Sequence, residues 1–88
     1  MNRIEMIREK LTAALAPESL DIIDRSSEHA GHEGAKSGGG HFDVIIVAEA
    51  FNDMGTVQRH RAIYDALGDA MNTEIHALSI RAYTPEEF

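Results

Sequence analysis

Ile4, Ile7, Leu11, Ala14 and Leu15 recur at the three- and four-residue spacing of a helix, and Asn2 with Glu5 supplies an N-cap and its N3 partner. This spacing predicts an amphipathic helix over residues 3–16. Pro17 has no N–H with which to continue it. The short β-branched run Leu20, Asp21, Ile22, Ile23, Asp24, Arg25 then suits a strand. Between 26 and 40 the pattern is lost: five glycines accompany Ser, Ala and His, and little is left to bury. A flexible hairpin loop is expected over 26–40, long for its type. From 41 to 51 the alternation returns and puts Phe42, Val44, Ile46 and Ala48 on one face, a strand expected at the centre of its sheet. After a turn at 52–55, Thr56 is placed to cap a helical region whose Ile63, Leu67, Ala70 and Met71 fall on one side. The pattern leaves open whether that region is one helix or two. Residues 75–83 form a third alternating run, with His76, Leu78, Ile80 and Ala82 on the face expected to be buried and Ile75, Ala77, Ser79, Arg81 and Tyr83 on the other. Thr84, Pro85 and Glu87 have the makings of a capped terminal turn.

The element order α-β-β-α(α)-β predicts an α+β domain in which helices cover one face of a three-stranded sheet. Eighty-eight residues hold one such domain, spanning 1–88, with no room for a second. An apolar fraction of 43% and a charged fraction of 26% are ordinary for a folded chain. No continuous apolar stretch has the length of a secretory signal or membrane span, so a cytoplasmic setting without membrane attachment is expected.

Chemistry narrows with the absence of cysteine, which removes disulfides, thiolate nucleophiles and sulfur ligands. Any metal ligand must be His, Asp or Glu. The five histidines are His29 and His32 in the glycine-rich segment, His41 opening the second strand, His60 in the helical region and His76 on the third strand. Neutral imidazole is a common ligand for borderline metals. His29 and His32 nevertheless lie on a loop without the preset geometry of ligands one helical turn apart. Spacing alone therefore leaves two readings of the histidines, metal ligands or solvated and core-edge side chains. For His76 these are a ligand or a half-buried ring bonded to backbone. His60, spaced three, four and seven residues before Ile63, Tyr64 and Leu67, points to the apolar side as a core-edge residue.

Fifteen acidic residues against eight basic ones give a net charge of −7, which repels a phosphate backbone at long range. Arg59, Arg61 and Arg81 are the residues from which a local basic patch would be built. Gly31-His32-Glu33-Gly34 has the GxxG form of a nucleotide clamp, but it joins two strands where a clamp needs two helices, and it carries Glu33. Catalysis is not expected: no glycine-framed nucleophile precedes a helix, and Asp21 and Asp24 lie on an exposed-looking strand.

Three separated runs carry a resemblance. Gln58-Arg59-His60-Arg61-Ala62-Ile63-Tyr64, then Ile75-His76-Ala77-Leu78-Ser79-Ile80, then Tyr83-Thr84-Pro85-Glu86-Glu87-Phe88 resemble the signature of BolA proteins, and His41-Phe42 and the helix over 7–17 agree in order and spacing. The resemblance covers nearly the whole chain. It implies a class II KH-like fold, α-β-β-α-α-β, and two family roles. One is partnership with a monothiol glutaredoxin in iron–sulfur cluster trafficking or iron regulation. There a [2Fe–2S] cluster is held by the glutaredoxin's cysteine, a glutathione thiol and two ligands of the BolA protein. The resemblance assigns those two to His76 and His29, with His32 as a possible substitute. Two histidines leave half of the coordination unfilled, so no cluster is expected in the isolated chain. The other role is a DNA-binding transcriptional regulator of stress response and cell morphology, which would use Arg59, Arg61 and Arg81.

Overall fold

A computed structural model describes residues 2–25 and 40–88. Helix α1 runs Arg3–Leu15, and Asn2 caps it by accepting the Glu5 N–H on its Oδ1 at 2.8 Å. It ends at Ala16, whose N–H reaches Thr12 O at 3.1 Å from a left-handed conformation with φ 45°, one residue before Pro17. Strand β1, Ser19–Asp24, follows directly. The predicted loop over 26–40 lies outside the described residues except for Gly40, which opens β2.

Strand β2, Gly40–Val47, is the centre of a three-stranded sheet of order β1-β2-β3. It is antiparallel to β1, with Ile22 opposite Val44, and parallel to β3, Ile75–Tyr83, with Val44 opposite Ile80. Parallel neighbours need a crossover, here the chain from 48 to 74. The apolar alternation makes β2 central: Phe42, Val44 and Ile46 are each at most 1% exposed. The strand was expected to continue to Phe51, but it stops at Val47. A 3-10 turn over Glu49–Phe51 follows, and both Ala48 and Phe51 are fully buried. Strict alternation would have put Phe51 on the face opposite Ala48, so the turn is what brings this ring into the core.

The helical region is two helices, α2 over Thr56–Leu67 and α3 over Ala70–Thr73. Gly68 separates them at φ 54°, ψ −129°, a conformation that disfavours any residue with a Cβ. Gly55, and not Thr56, is the N-cap of α2, and its N–H is held by Gln58 Oε1 at 3.0 Å. Thr56 is the first helical residue.

Helix α1 packs on α2 and β1, and α2 and α3 pack on β3. Ile7 and Leu11 of α1, Ile63 and Leu67 of α2, and the inward side chains of β2 form one core. Every helix thus serves one side of the sheet. The other side, carrying Asp43 and Ile45 of β2 with Ser79 and Arg81 opposite them on β3, has no covering layer among the described residues.

Candidate functional site

One end of the sheet holds His41 and His76 together with the two points, Arg25 and Gly40, between which residues 26–39 run. The Arg25 N–H donates to His41 O at 2.8 Å, and the Gly40 N–H donates to Glu74 O at 3.1 Å. Both ends of the segment that contains His29 and His32 are therefore fixed to the sheet by backbone bonds. Those two histidines themselves lie outside the described residues. Gly40 is the register partner of Ile75, and the next pair along is His41 with Ala77. Two residues of β3 thus answer one step of β2, and His76 is the extra one, a β-bulge.

The bulge corrects the expected alternation of β3. A regular strand would put Ile75 outward and His76 inward with Leu78. Instead Ile75 is only 4% exposed and belongs to the core, while His76 is exposed. Leu78, Ile80 and Ala82 remain packed against the core as the pattern required. An imidazole free of the core, beside the strand to which the 26–39 segment returns, is available to a ligand or partner. His60 is half-buried, in keeping with a core-edge position, and His41 is half-buried on β2. Among the described residues no three His, Asp, Glu or Cys side chains converge as a complete metal site.

The three arginines do not form one surface. Arg59, expected to be available to phosphate, is committed inside the molecule. Its side chain is only 14% exposed. Its Nε donates to Met54 O at 2.9 Å, and its Nη1 donates to Ala82 O at 3.0 Å. The same guanidinium grips Glu87 with both Nη atoms, at 2.6 and 3.0 Å. Arg61 is exposed on α2, whereas Arg81 is exposed on the side of the sheet away from the helices. Arg59 therefore fastens the start of α2 to the end of β3 and to the C-terminal turn.

That turn has the reciprocal bonds expected of Thr84 and Glu87. The Thr84 N–H donates to Glu87 Oε1 at 2.8 Å, and the Glu87 N–H lies 3.3 Å from Thr84 Oγ1. The Tyr83 and Phe88 rings, with centroids 5.5 Å apart, flank it. The Thr-Pro-Glu-Glu pattern made the turn legible. Nothing local to it named Arg59 as the cation that Glu87 holds.

Charge-assisted bonds from Arg59, with the Thr84 N–H adding to them, hold the Glu87 carboxyl down to about 2 from its ordinary 4.5. A carboxyl whose folded pKa is depressed contributes stability above its unfolded pKa and loses it as pH falls toward the folded one. Thermal midpoints are therefore expected to drop between about pH 4.5 and 2 more steeply in the parent protein than in Glu87→Gln. Parallel slopes for the two proteins would show that the pair contributes nothing. A second ion pair joins Arg25 to Asp43, and the Arg25 bond holds the Asp43 carboxyl below its ordinary value, with His41 and Ser79 contributing and partial burial opposing.

The sequence matches the family described as BolA-like protein over residues 11–87. It is 45% identical to both Protein BOLA1, chloroplastic, and SufE-like protein 1, chloroplastic/mitochondrial, of Arabidopsis thaliana, covering 98% and 92% of this chain. The chain spans 56% of the former and 23% of the latter. It is 38% identical to the DNA-binding transcriptional regulator BolA of Escherichia coli, over 96% of this chain and 77% of that protein. The solved structure of BolA1 from Arabidopsis thaliana superposes with a TM-score of 0.84 at 42% identity, covering 100% of this chain and 98% of that one. A family match over most of the chain, together with the helix order and the mixed sheet, establishes that this chain belongs to the BolA-like protein family.

Proposed function

We propose that this protein is a non-enzymatic cytoplasmic partner of a monothiol glutaredoxin and contributes His76 and His29 as ligands to a shared [2Fe–2S] cluster, in iron–sulfur cluster trafficking or iron regulation. The observation that carries this reading is the exposed imidazole of His76 on a bulge beside Gly40, where the segment bearing His29 and His32 rejoins the sheet. Chain length is compatible with a shared site. His29 is four residues from Arg25, about 14 Å of extended chain at most. Strands β1 and β3 are two strand spacings apart, about 10 Å. The same count allows His32 to take the place of His29.

Two imidazoles leave half of an iron–sulfur cluster's coordination to others, and with no cysteine in this chain the thiolates must come from the glutaredoxin and glutathione. Neutral nitrogen ligands in place of thiolates take negative charge off such a cluster and raise its reduction potential. What this chain supplies is position: β3 fixes His76, and the backbone bonds of Arg25 and Gly40 fix the two ends of the second ligand's segment.

Mixing the protein with a cluster-loaded monothiol glutaredoxin is expected to change the visible absorption and circular dichroism of the cluster. In His76→Ala that change is expected to vanish while the far-ultraviolet spectrum stays that of a folded protein, because the side chain is exposed. Complex formation with an unchanged cluster spectrum would instead identify an adaptor that binds glutaredoxin without ligating iron.

The DNA-binding reading draws support from the name of the Escherichia coli relative. Against it stand the charge of −7, the commitment of Arg59 and the separation of Arg61 from Arg81. A duplex titration with a steep salt dependence would favour it. A weak, flat response at low salt would remove it.

A further inference from the structure

The side of the sheet that has no covering layer among the described residues carries a cleft of about 240 Å3 walled by Ile23, Arg25, Asp43, Ile45, Ser79 and Arg81. Register places these side chains together: Ile23 lies opposite Asp43 across β1 and β2, Asp43 opposite Ser79, and Ile45 opposite Arg81. The Asp43 carboxylate is already engaged by Arg25 and by the Ser79 hydroxyl. The Arg81 side chain has no hydrogen bond or ion pair with any described residue. Among the described residues, the lining thus brings two guanidiniums and one carboxylate, and with Arg25 engaged on Asp43 the Arg81 guanidinium is the excess positive charge, on a protein of charge −7.

That balance selects its ligand. A guanidinium fork matches a carboxylate with two parallel N–H donors. Asp43 in the same cleft opposes a second negative charge, which disfavours phosphate dianions. Ile23, 39% exposed, and the half-buried Ile45 line the cleft with apolar surface that a purely ionic ligand would leave wet. At about 240 Å3 the cleft lies just below the roughly 300–1,000 Å3 of ordinary ligand pockets, which suits a small molecule. We propose that this cleft binds a small branched-chain monocarboxylate, its carboxylate on Arg81 and its alkyl group against Ile23 and Ile45. The site shares no residue with the ligation assigned to His76 and stands or falls independently of it.

The test is a titration of the isotope-labelled protein with isovalerate, followed by amide resonances. Saturable shifts centred on Ile45, Ser79 and Arg81 are expected, with binding about tenfold weaker in Arg81→Gln, the scale of one charge-assisted bond. Acetate, which lacks the branched alkyl group, is expected to bind several-fold more weakly, and isopentylamine to leave these amides unmoved. Ile23→Ala should narrow the gap between isovalerate and acetate. The proposal is overturned if the shifts do not saturate, if Arg81→Gln binds as the parent does, or if inorganic phosphate moves the same amides as strongly as isovalerate.

Discussion

Phe42→Ala is expected to cost about 4 kcal/mol of folding stability, the middle of the range for deleting a buried ring. Phe42 is 1% exposed on the central strand and belongs to the core that joins α1, α2 and the sheet. No helix can slide into the gap without leaving the other residues that it covers, so most of the cavity remains. Domains of this size are stable by about 4–13 kcal/mol in all. The variant therefore loses a large share of its stability, and its thermal midpoint is expected to fall by roughly 15–25 °C. Ile23→Ala, at a residue 39% exposed on the edge strand, is the comparison and is expected to shift the midpoint by only about 3 °C. Equal losses at the two positions in thermal melts followed by circular dichroism would contradict a core built on one side of the sheet.

The second large effect separates two arginines that look alike in the sequence. Arg59→Ala removes donors from Met54 O and Ala82 O and releases Glu87, all at once. Two carbonyl acceptors lose their partner in a largely covered site, and the start of α2 is no longer fastened to the end of β3. A fall in thermal midpoint of about 10 °C is expected. Arg61→Ala, on the exposed side of the same helix, should stay within about 3 °C of the parent. Arg59→Lys is expected to resemble the alanine variant more than the parent, since an ammonium cannot serve two carbonyls and a carboxylate in the fork's geometry. If Arg59 and Arg61 behave alike, the fastening role assigned to Arg59 is wrong.

Those arginines also show where the sequence could be read and where it could not. Helix α1 and the core side of β2 were legible because one face of each is buried, which enforces periods of 3.6 and 2 on the apolar residues. The order of elements followed from that. The tethering of Arg59 is not legible in the sequence because its acceptors lie 5, 23 and 28 residues away, and no local pattern encodes such partners. His76 was misread for a related reason. Alternation assumes one residue per step of the ladder, and a single inserted residue exchanges inside for outside at every position before it. The clue was in the composition: Ile75 is a better core residue than histidine, and only a bulge lets Ile75 and Leu78 share a side. Phe51 repeats the lesson, its ring brought inward by a 3-10 turn that a continuous strand reading passes over.

The parallel join between β2 and β3 bears on when His76 becomes usable. Strands β1 and β2 are neighbours in the chain, whereas β3 can dock only after the crossover through α2 and α3 has been laid down. Contacts of such long sequence separation carry a larger loop-closure cost and form slowly. A half-folded molecule would therefore lack this imidazole at its place beside Gly40. In the proposed role, a partner that reads this imidazole together with the neighbouring end of β2 would meet both only in a completed sheet.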